Sequence, residues 1–401
     1  MQNDGKCRFN KTLITSSYKL NILILSTYPE DNPLNGGQSR VSKIKEYYIN
    51  QNCNVDIIGI NASRDYKQSL NFIPIPDEQL LKKRSKNFGG ITDYLIGELS
   101  VSNKVLRKKL FKKITFVPDI IQCEHPWFFR FSQYIKKEFF HDAKLIYSSH
   151  NNEHKLKKSL LKDKIERRLL NDIKNIEINA IKKADYIITV SRNNKKFIQK
   201  YNKKNIILAP NGASSFTRNK KKSFIPKKYC LFFGSEYKPN VEGFFTMFDG
   251  PFGSLNSNQD LVIAGNVSYA IATDKRFTLN PNLANRAKIL GRLSRTELNN
   301  LINNSHCIVI PITTGDGTSL KTAEALVSEN YVVSTSEGMR GFSEFCGKKS
   351  GVYLANDAIA FKKNIYKIMK LRKLQLPLNE KIKRKKLYWE CCLAPLKKIL
   401  L

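Results

Sequence analysis

Short apolar runs and amphipathic segments alternate along almost the whole chain. Two runs near the N-terminus, residues 20–25 and 55–60, flank a segment over about 39–50 that has the composition of a helix. Parallel strands need a crossover connection, which is usually a helix, and this alternation is typical of α/β proteins. The sequence therefore predicts an α/β fold built on parallel sheets.

The same pattern predicts the remaining strands and helices. In the first half, strands are expected at residues 119–123, 144–148, 185–190 and 206–208, with a long charged helical region over 154–183. In the second half, strands are expected at residues 229–233, 261–264, 287–290, 307–310, 331–334 and 351–354. From about residue 361 the chain is helical and basic, with breaks at Pro377 and Pro395.

The length of 401 residues is sufficient for two domains, each with its own core. The stretch over 214–228 is polar and basic, lacks periodicity and is predicted to be a linker. We therefore expect five parts, namely an N-terminal extension (1–19), a first domain (20–213), the linker (214–228), a second domain (229–375) and a helical tail (376–401).

Targeting and cysteine patterns indicate a cytoplasmic protein. No apolar run reaches the roughly 18–20 residues that a membrane span needs, and the polar N-terminus lacks the apolar centre of a signal peptide. The eight cysteines show no CxxC pair and no metal-ligand spacing, so no metal site is expected. Such cysteines suit a reducing compartment.

A glycine loop in the second half carries the strongest chemical signal. Gly315 and Gly317 follow a predicted strand and precede an amphipathic helix, whose N-terminus offers unpaired N–H groups and partial positive charge to a phosphate. Lys321 and Glu324 share one helical face, with Asp316 just before the helix. Alone, the lysine and glutamate would be an ordinary ion pair worth about 0.2–0.5 kcal/mol. Their order between two strands favours a site for a phosphate and a sugar.

The segment over 315–335, GDGTSLKTAEALVSENYVVST, resembles the donor-binding signature of family-4 GT-B glycosyltransferases, the glycosyl transferases group 1. The resemblance implies that Glu324 holds the ribose hydroxyls of the donor nucleotide and that Asp316 contacts the sugar. It also implies that the backbone amides of Gly317, Thr318 and Ser319 hold the diphosphate. Asp316 stands where relatives often carry Glu, and Ser319 where many carry Arg, so the donor sugar stays open.

The first half carries two further stretches of the resemblance. In residues 20–41, Gly36 and Gly37 would let the backbone approach the donor phosphate, and Arg40 would add charged donors. The alternative is an ordinary Gly-Gly turn before a helix. The segment SSHNNEH, at a predicted strand end, is similar to the family's S-H-N-x-E segment and would place His150 and Glu153 beside the reacting sugar. A histidine at a strand end can also be structural.

In the second half, FFGSEYKPNVEGF resembles the strand and loop that open the donor-binding domain. This stretch implies that Ser235 and Lys238 meet the diphosphate. Many relatives have a stronger Arg/Lys pair here, so Lys321 is expected to carry more of the charge. Arg292 and Leu293 occupy the positions where the family's backbone contacts the base.

The resemblance implies a GT-B fold, with two Rossmann-like domains facing across a cleft and a C-terminal helix crossing back to the first domain. The implied activity is metal-independent, retaining hexosyl transfer from a nucleotide-diphosphate sugar to a hydroxyl acceptor. The acceptor would be a glycan or a lipid-linked glycan in bacterial surface polysaccharide or glycoconjugate synthesis. His150, Glu153 and Asp316 are the candidate catalytic residues, and no cofactor is expected.

The formal net charge of +35 has competing explanations. A nucleic-acid partner is not expected, because basic residues interleaved with aromatics on a recognisable module are missing. An anionic membrane surface would suit an enzyme with a lipid-linked acceptor and would make the protein peripheral on the inner face of the cell membrane. Compositional drift, with Lys, Asn and Ile abundant throughout the chain, also explains the charge, and both explanations stay open.

Two other functions compete with glycosyl transfer. A Rossmann-type dehydrogenase or epimerase would need G-x-G-x-x-G after the first strand and an acidic residue about 20 positions later, a pattern that Gly36 and Gly37 do not provide. A degenerate GT-B protein would bind nucleotide or glycan without turnover. The departures at Asp316 and Ser319 keep this second alternative open.

Overall fold

The computed structural model describes residues 19–31, 33, 35–61, 69–75, 90–161, 164–215, 223–253, 255–315 and 317–401. The chain divides into two compact units. The first consists of the described residues up to Pro210 together with Leu393–Leu401, and the second is Asn211–Cys392.

The described part of the first unit contains one parallel sheet. Its strands are β1 (Asn21–Ser26), β2 (Asn54–Asn61), β3 (Phe72–Pro74), β4 (Ile120–Glu124), β5 (Lys144–Ser149), β6 (Tyr186–Thr189) and β7 (Ile206–Leu208). Their order is β3-β2-β1-β4-β5-β6-β7, and neighbours pair in parallel. The strand order reverses between β1 and β4, and ligands of open α/β sheets bind beyond the carboxyl ends of the strands at such a switch point.

Helices connect these strands. In the described residues they span Gly36–Asn50, Thr92–Ser102, Lys104–Phe111, Phe129–Glu138, Glu153–Leu160, Lys164–Arg168, Leu170–Lys183 and Arg192–Ile198. The helical region predicted over 154–183 is thus divided into three helices. The helix expected from about residue 39 begins earlier, because the Asn35 side chain caps it by accepting from the backbone N–H of Gln38.

The second unit repeats the arrangement. Its strands are β8 (Lys228–Phe233), β9 (Gln259–Ala264), β10 (Ala287–Ile289), β11 (Cys307–Ile310), β12 (Tyr331–Ser334) and β13 (Val352–Leu354). The order is β10-β9-β8-β11-β12-β13, again parallel between neighbours. Here the switch point lies between β8 and β11. Successive side chains of a strand point to opposite faces, so Cys230 and Phe232 enter one core while Leu231 and Phe233 enter the other.

The α-helices of the second unit lie mainly between its strands. In the described residues they span Lys238–Met247, Val267–Ala272, Lys275–Thr278, Pro281–Ala284, Arg295–Asn304, Leu320–Val327, Ala358–Lys370, Leu378–Lys385 and Trp389–Leu393, the last of which ends at the unit boundary. Short 3-10 helices cover Ser343–Phe345 and Lys348–Ser350, and a third, Ala394–Ile399, belongs to the first unit. No helix in the described ranges has the length and apolar character needed to cross a membrane.

Two boundaries differ from the sequence-based prediction. The second unit begins at Asn211, ahead of the expected linker, because the backbone of Ala213 pairs with that of Leu387 and Trp389. Residues 216–222 of that linker lie outside the described residues. Most of the expected tail belongs to the second unit, where the buried Arg384 guanidinium donates to carbonyl oxygens of that unit. Only Leu393–Leu401 joins the first unit.

The Lys238–Met247 helix lies so close to the residue after β11 that only glycine fits at position 243. A Cβ there would overlap the carbonyl oxygen of Pro311. We expect Gly243→Ala to lower the free energy of unfolding by about 1–3 kcal/mol, the usual cost of overpacking. Denaturant unfolding of the full chain measures this.

Gly253→Ala is the matched control, because no atom of the described residues other than its chain neighbours lies within 4 Å of its added Cβ. Equal stability of the two variants would contradict the close approach of the helix to Pro311.

Candidate functional site

A buried polar chain lies at the carboxyl end of β4. Nε2 of His150, the residue after β5, lies 2.5 Å from Oε2 of Glu124. The other Glu124 oxygen accepts from Nε2 of Gln122 at 2.5 Å, and Oε1 of Gln122 accepts from the Tyr48 hydroxyl at 2.7 Å. All four residues are buried. Burial of this kind is tolerated because each polar group has a hydrogen-bond partner.

A second histidine–glutamate pair lies against the first. Nδ1 of His125 is 2.9 Å from Oε1 of Glu153, and its Nε2 is 3.0 Å from the Tyr28 hydroxyl. His125 has a φ of +64°, a left-handed conformation that is uncommon outside glycine. Its ring centroid lies 4.2 Å from that of His150. The two histidines from different strand ends therefore form one cluster.

The two histidines carry different charges. Burial lowers the pKa of His150 to about 4, and the charge on His125 acts in the same direction. Burial alone would lower the pKa of His125, but the Glu153 carboxylate raises it above its usual value. Burial opposes ionisation of Glu153, yet the charge of His125 lowers the pKa of this carboxyl to about 2. Near neutral pH, His125 and Glu153 thus favour an ion pair while His150 is neutral.

Glu177 holds the start of the helix that carries Glu153. Its Oε1 accepts from the backbone N–H of Glu153 at 2.9 Å, and its Oε2 accepts from that of His154 at 3.0 Å. A carboxylate satisfies the unpaired N–H groups of a helix N-terminus and opposes its positive dipole end. The position of Glu153 therefore depends on a residue of the Leu170–Lys183 helix.

The predicted phosphate-contacting residues of this unit lie in the first helix. Gly36 and Gly37 form its first turn rather than a preceding loop. A Cβ on Gly37 would lie 2.7 Å from the Tyr28 hydroxyl, so glycine leaves room for that tyrosine. Arg40 is buried, and its Nη2 donates to the carbonyl of Ala209 at 2.8 Å. Contacts of these residues with a phosphate stay predictions.

In the second unit, Lys321 lies beside the end of β8. Its Nζ donates to Oδ1 of Asn240 at 2.7 Å and lies 5.1 Å from the ring centroid of Phe232. A Cβ on Gly234 would be 2.8 Å from this ammonium, so glycine makes the position possible. Burial lowers the pKa of Lys321 to about 7, although the charge of Glu324 acts to raise it. The hydrogen-bond partner of this cation is a neutral amide, and no carboxylate contacts it within the described residues.

The glycine loop leads into the Leu320–Val327 helix, as the sequence predicts. Gly315 and Gly317 have φ values of +145° and +70°, conformations that favour glycine. The Gly317 carbonyl accepts from Nε of Arg340 at 2.7 Å, and the Thr318 carbonyl accepts from Nδ2 of Asn211 at 2.9 Å. Ser319 is the residue before the helix, and its side chain makes no capping hydrogen bond. Asp316 lies outside the described residues.

Glu324 has a different partner from the one considered in the sequence. Its Oε1 accepts from Nη2 of Arg295 at 2.6 Å, and no salt bridge joins it to Lys321. The Glu324 side chain is 13% exposed. Within the described residues no hydrogen bond reaches its Oε2, which is therefore open to a hydroxyl group.

The remaining predicted residues of the second unit lie near Lys321, in the core or on the surface. Ser235 follows Gly234, and the Ser235 carbonyl accepts from Nδ2 of Asn240 at 2.8 Å. Lys238 is exposed at the first position of the Lys238–Met247 helix. Arg292 is exposed, whereas Leu293 packs against the core. Asn240 thus joins Ser235 to Lys321, and base recognition by Arg292 and Leu293 stays a prediction.

Several site residues were not predicted from the sequence. They are Glu124, His125, Glu177, Arg295 and Arg340. Glu124 is the last residue of a buried strand and His125 directly follows it, so the strand-end rule that selected residues 148–154 applies to both. The other three reach the site through tertiary contacts, which carry no local sequence signal.

Comparisons with known protein families match both units of the chain. A family model described as glycosyl transferases group 1 matches residues 227–370, and a model described as Glycosyltransferase Family 4 matches residues 34–214. No curated protein matches significantly by sequence. Together the two family models cover most of the chain.

Solved structures share the fold at low sequence identity. Sucrose-phosphate synthase from Thermosynechococcus elongatus is 13% identical, with a TM-score of 0.66 over 95% of this chain and 98% of that one. WaaG, a glycosyltransferase involved in lipopolysaccharide biosynthesis, is 10% identical, with a TM-score of 0.59 over 94% and 98%. HepE of Anabaena, in complex with UDP, is 11% identical, with a TM-score of 0.57 over 96% and 99%.

The two parallel α/β sheets thus define a GT-B fold, and the prediction of that fold class is confirmed. The chain belongs to the family-4 glycosyltransferases, the glycosyl transferases group 1.

Glu177→Gln tests how the Glu153 helix is held. One carboxylate oxygen becomes an NH₂ donor that faces a backbone N–H donor, so a buried hydrogen bond is lost. We expect the free energy of unfolding to fall by about 1–3 kcal/mol. Denaturant unfolding measures the difference.

Glu138→Gln is the control, because Glu138 is exposed at the end of the Phe129–Glu138 helix. Identical unfolding midpoints for the two variants would show that Glu177 does not anchor the Glu153–Leu160 helix.

Proposed function

We propose that this glycosyltransferase moves a sugar from a nucleotide-diphosphate sugar to a hydroxyl acceptor with retention of anomeric configuration. The observation that carries the proposal is Lys321, a cation without a contacting carboxylate among the described residues, placed between the end of β8 and the glycine loop after β11. A desolvated cation at the switch point of a parallel sheet favours an anionic ligand there.

Catalysis would depend on stabilising the negative charge that develops on the departing diphosphate. The Lys321 ammonium and the backbone N–H groups at the start of the Leu320–Val327 helix are suited to this task. Both are fixed before the reaction, so no reorganisation is needed in the transition state. Lys238 and Ser235 would contact the same phosphates, and Arg40 is proposed as a further contributor. This arrangement supports transfer without a metal ion or another cofactor.

Known relatives support a nucleotide-sugar donor. The structure of HepE has been solved with UDP-glucose, and a trehalose-6-phosphate protein from E. coli with UDP-2-fluoro glucose. We infer a hexose donor by analogy. Glu324 would accept ribose hydroxyls on the oxygen that Arg295 leaves open, while Asp316 would contact the sugar and Arg292 and Leu293 the base.

For the acceptor we propose a glycan or lipid-linked glycan in bacterial surface polysaccharide or glycoconjugate synthesis. WaaG, a structural neighbour, is involved in lipopolysaccharide biosynthesis. The net charge of +35 would attract an anionic membrane surface, which suits a cytoplasmic enzyme that is peripheral on the inner membrane face. His150 and Glu153 are proposed to act beside the reacting sugar.

Glu324→Gln tests the ribose-binding acid. A carboxylate that accepts hydroxyl protons contributes about 1.5–3 kcal/mol, so we expect transfer from the preferred nucleotide sugar to fall by about 10–100-fold. Transfer is measured on the full chain after a panel of nucleotide sugars has been screened by thermal stabilisation.

Glu344→Ala is the control, because Glu344 is exposed in the same unit and has no ion pair among the described residues. An unchanged rate for Glu324→Gln would contradict the assignment of the ribose acid. Stabilisation of the unaltered protein by nucleotides without transfer to any acceptor would instead favour the non-catalytic binding protein.

Lys321 predicts a pH dependence of donor binding. With a pKa of about 7 in the free protein, Lys321 loses its charge as the pH rises, and binding of an anionic diphosphate then requires proton uptake. We expect the Kd for a nucleotide sugar to rise by up to about tenfold per pH unit between pH 7 and 9. Calorimetry in buffers of different ionisation enthalpy measures both the Kd and the proton uptake.

Lys321→Met keeps most of the length of the side chain and removes its charge. This variant should bind more weakly and show no pH dependence over the same range. A pH-dependent Kd that persists in Lys321→Met would assign the titration to another group.

A further inference from the structure

We propose that Glu124 is a positioning residue that fixes His150 as the tautomer with its proton on Nε2. The Nδ1 lone pair is then the group that His150 offers to a substrate, and its partner is a sugar hydroxyl. The inference about the substrate rests on the proposed function, whereas the tautomer is a property of the protein alone.

The contact between Glu124 and His150 determines where the proton lies. An ionised carboxylate can only accept hydrogen bonds, and a neutral imidazole has one N–H donor and one acceptor nitrogen. Because Oε2 of Glu124 lies 2.5 Å from Nε2 of His150, the proton must lie on Nε2. Nδ1 therefore carries no proton, and the hydrogen bond that His150 makes within the described ranges is on Nε2.

The Tyr48 and Gln122 side chains fix the direction of every hydrogen bond in this buried polar network. Gln122 and Glu124 are two positions apart on β4 and therefore point to the same face of the sheet. The Tyr48 hydroxyl donates to Oε1 of Gln122, which orients the amide so that its Nε2 donates to Oε1 of Glu124. Only the second Glu124 oxygen is left for His150.

The surroundings of His150 define its ligand. The ring is 8% exposed and lies 4.2 Å, centroid to centroid, from His125, which is ion-paired with Glu153. A second positive charge on His150 is disfavoured there, so His150 stays neutral. An unprotonated nitrogen needs a hydrogen-bond donor opposite it. Phosphates and ionised carboxylates offer only acceptors, whereas a sugar hydroxyl can donate.

The network predicts what Glu124→Gln does. Nε2 of Gln122 donates toward residue 124, so the new amide must turn its oxygen to Gln122 and its NH₂ group to His150. Nε2 of His150 then becomes the acceptor, and the proton moves to Nδ1. The substitution is nearly isosteric, yet it converts the substrate-facing nitrogen from an acceptor into a donor.

Nitrogen-15 NMR of the full chain with labelled histidine tests the tautomer without any substrate. The sequence contains five histidines, and the His150 signal is assigned by its loss in His150→Asn. We expect protonated Nε2 and bare Nδ1 in the unaltered protein, and the reverse in Glu124→Gln at an unchanged melting temperature. Protonated Nδ1 in the unaltered protein, or the same tautomer in both proteins, would overturn the proposal.

Kinetics then test the hydroxyl partner. With UDP-glucose as the probe donor, Glu124→Gln should lower transfer about 10–100-fold, and Glu138→Gln, exposed on the Phe129–Glu138 helix, should not. One deoxy analogue of the donor or acceptor sugar should show the same loss with the unaltered protein and no further loss with Glu124→Gln. Additive losses for every analogue would refute a hydroxyl partner. Failure of all transfer would refute the proposed function while leaving the NMR result valid.

Discussion

Both units depend on one property of parallel sheets, namely that the carboxyl ends of all strands meet at a single edge. At the switch point of each sheet this edge is not covered by a crossover helix, so polar side chains can gather there without loss of core packing. In the first unit these side chains come from the ends of β4 and β5, and in the second from the residues that follow β8 and β11. The apolar strands therefore create the position of each site, and the residues just beyond them supply its chemistry.

Buried charged side chains at the two sheet edges have different kinds of hydrogen-bond partner. In the first unit, the His125 ring contacts the Glu153 carboxylate, and the Glu177 carboxylate accepts from two backbone N–H groups. In the second unit, the Lys321 cation is hydrogen-bonded to a neutral amide, and burial has already lowered its pKa. A hydrogen-bonded charge pair fixes geometry, whereas a cation with no contacting carboxylate among the described residues favours an anionic ligand.

The sequence predicted the strands better than the contacts between them. The strands at residues 307–310 and 331–334 have the predicted bounds because buried parallel strands are continuous β-branched runs. The short β3 strand was not predicted, since three residues give too little periodicity. Lys321 and Glu324 lie on one helix, as predicted, but their partners, Asn240 and Arg295, lie far away in sequence. Those contacts depend on the packing of separate elements, which local spacing does not encode.

Because local spacing does not encode tertiary contacts, a motif that contains a histidine does not show whether its ring nitrogens donate or accept hydrogen bonds. The neighbouring side chains determine this. The motif that contains His150 gives the residue type and a place at a strand end, and both could equally serve structure. The buried donor in Gln122 and the carboxylate of Glu124 give the direction of the hydrogen bond, and direction distinguishes an imidazole that accepts from one that donates. Since the two arrangements differ by the position of one proton, the proposed role of His150 makes substrate preference depend on residues that need not touch the substrate.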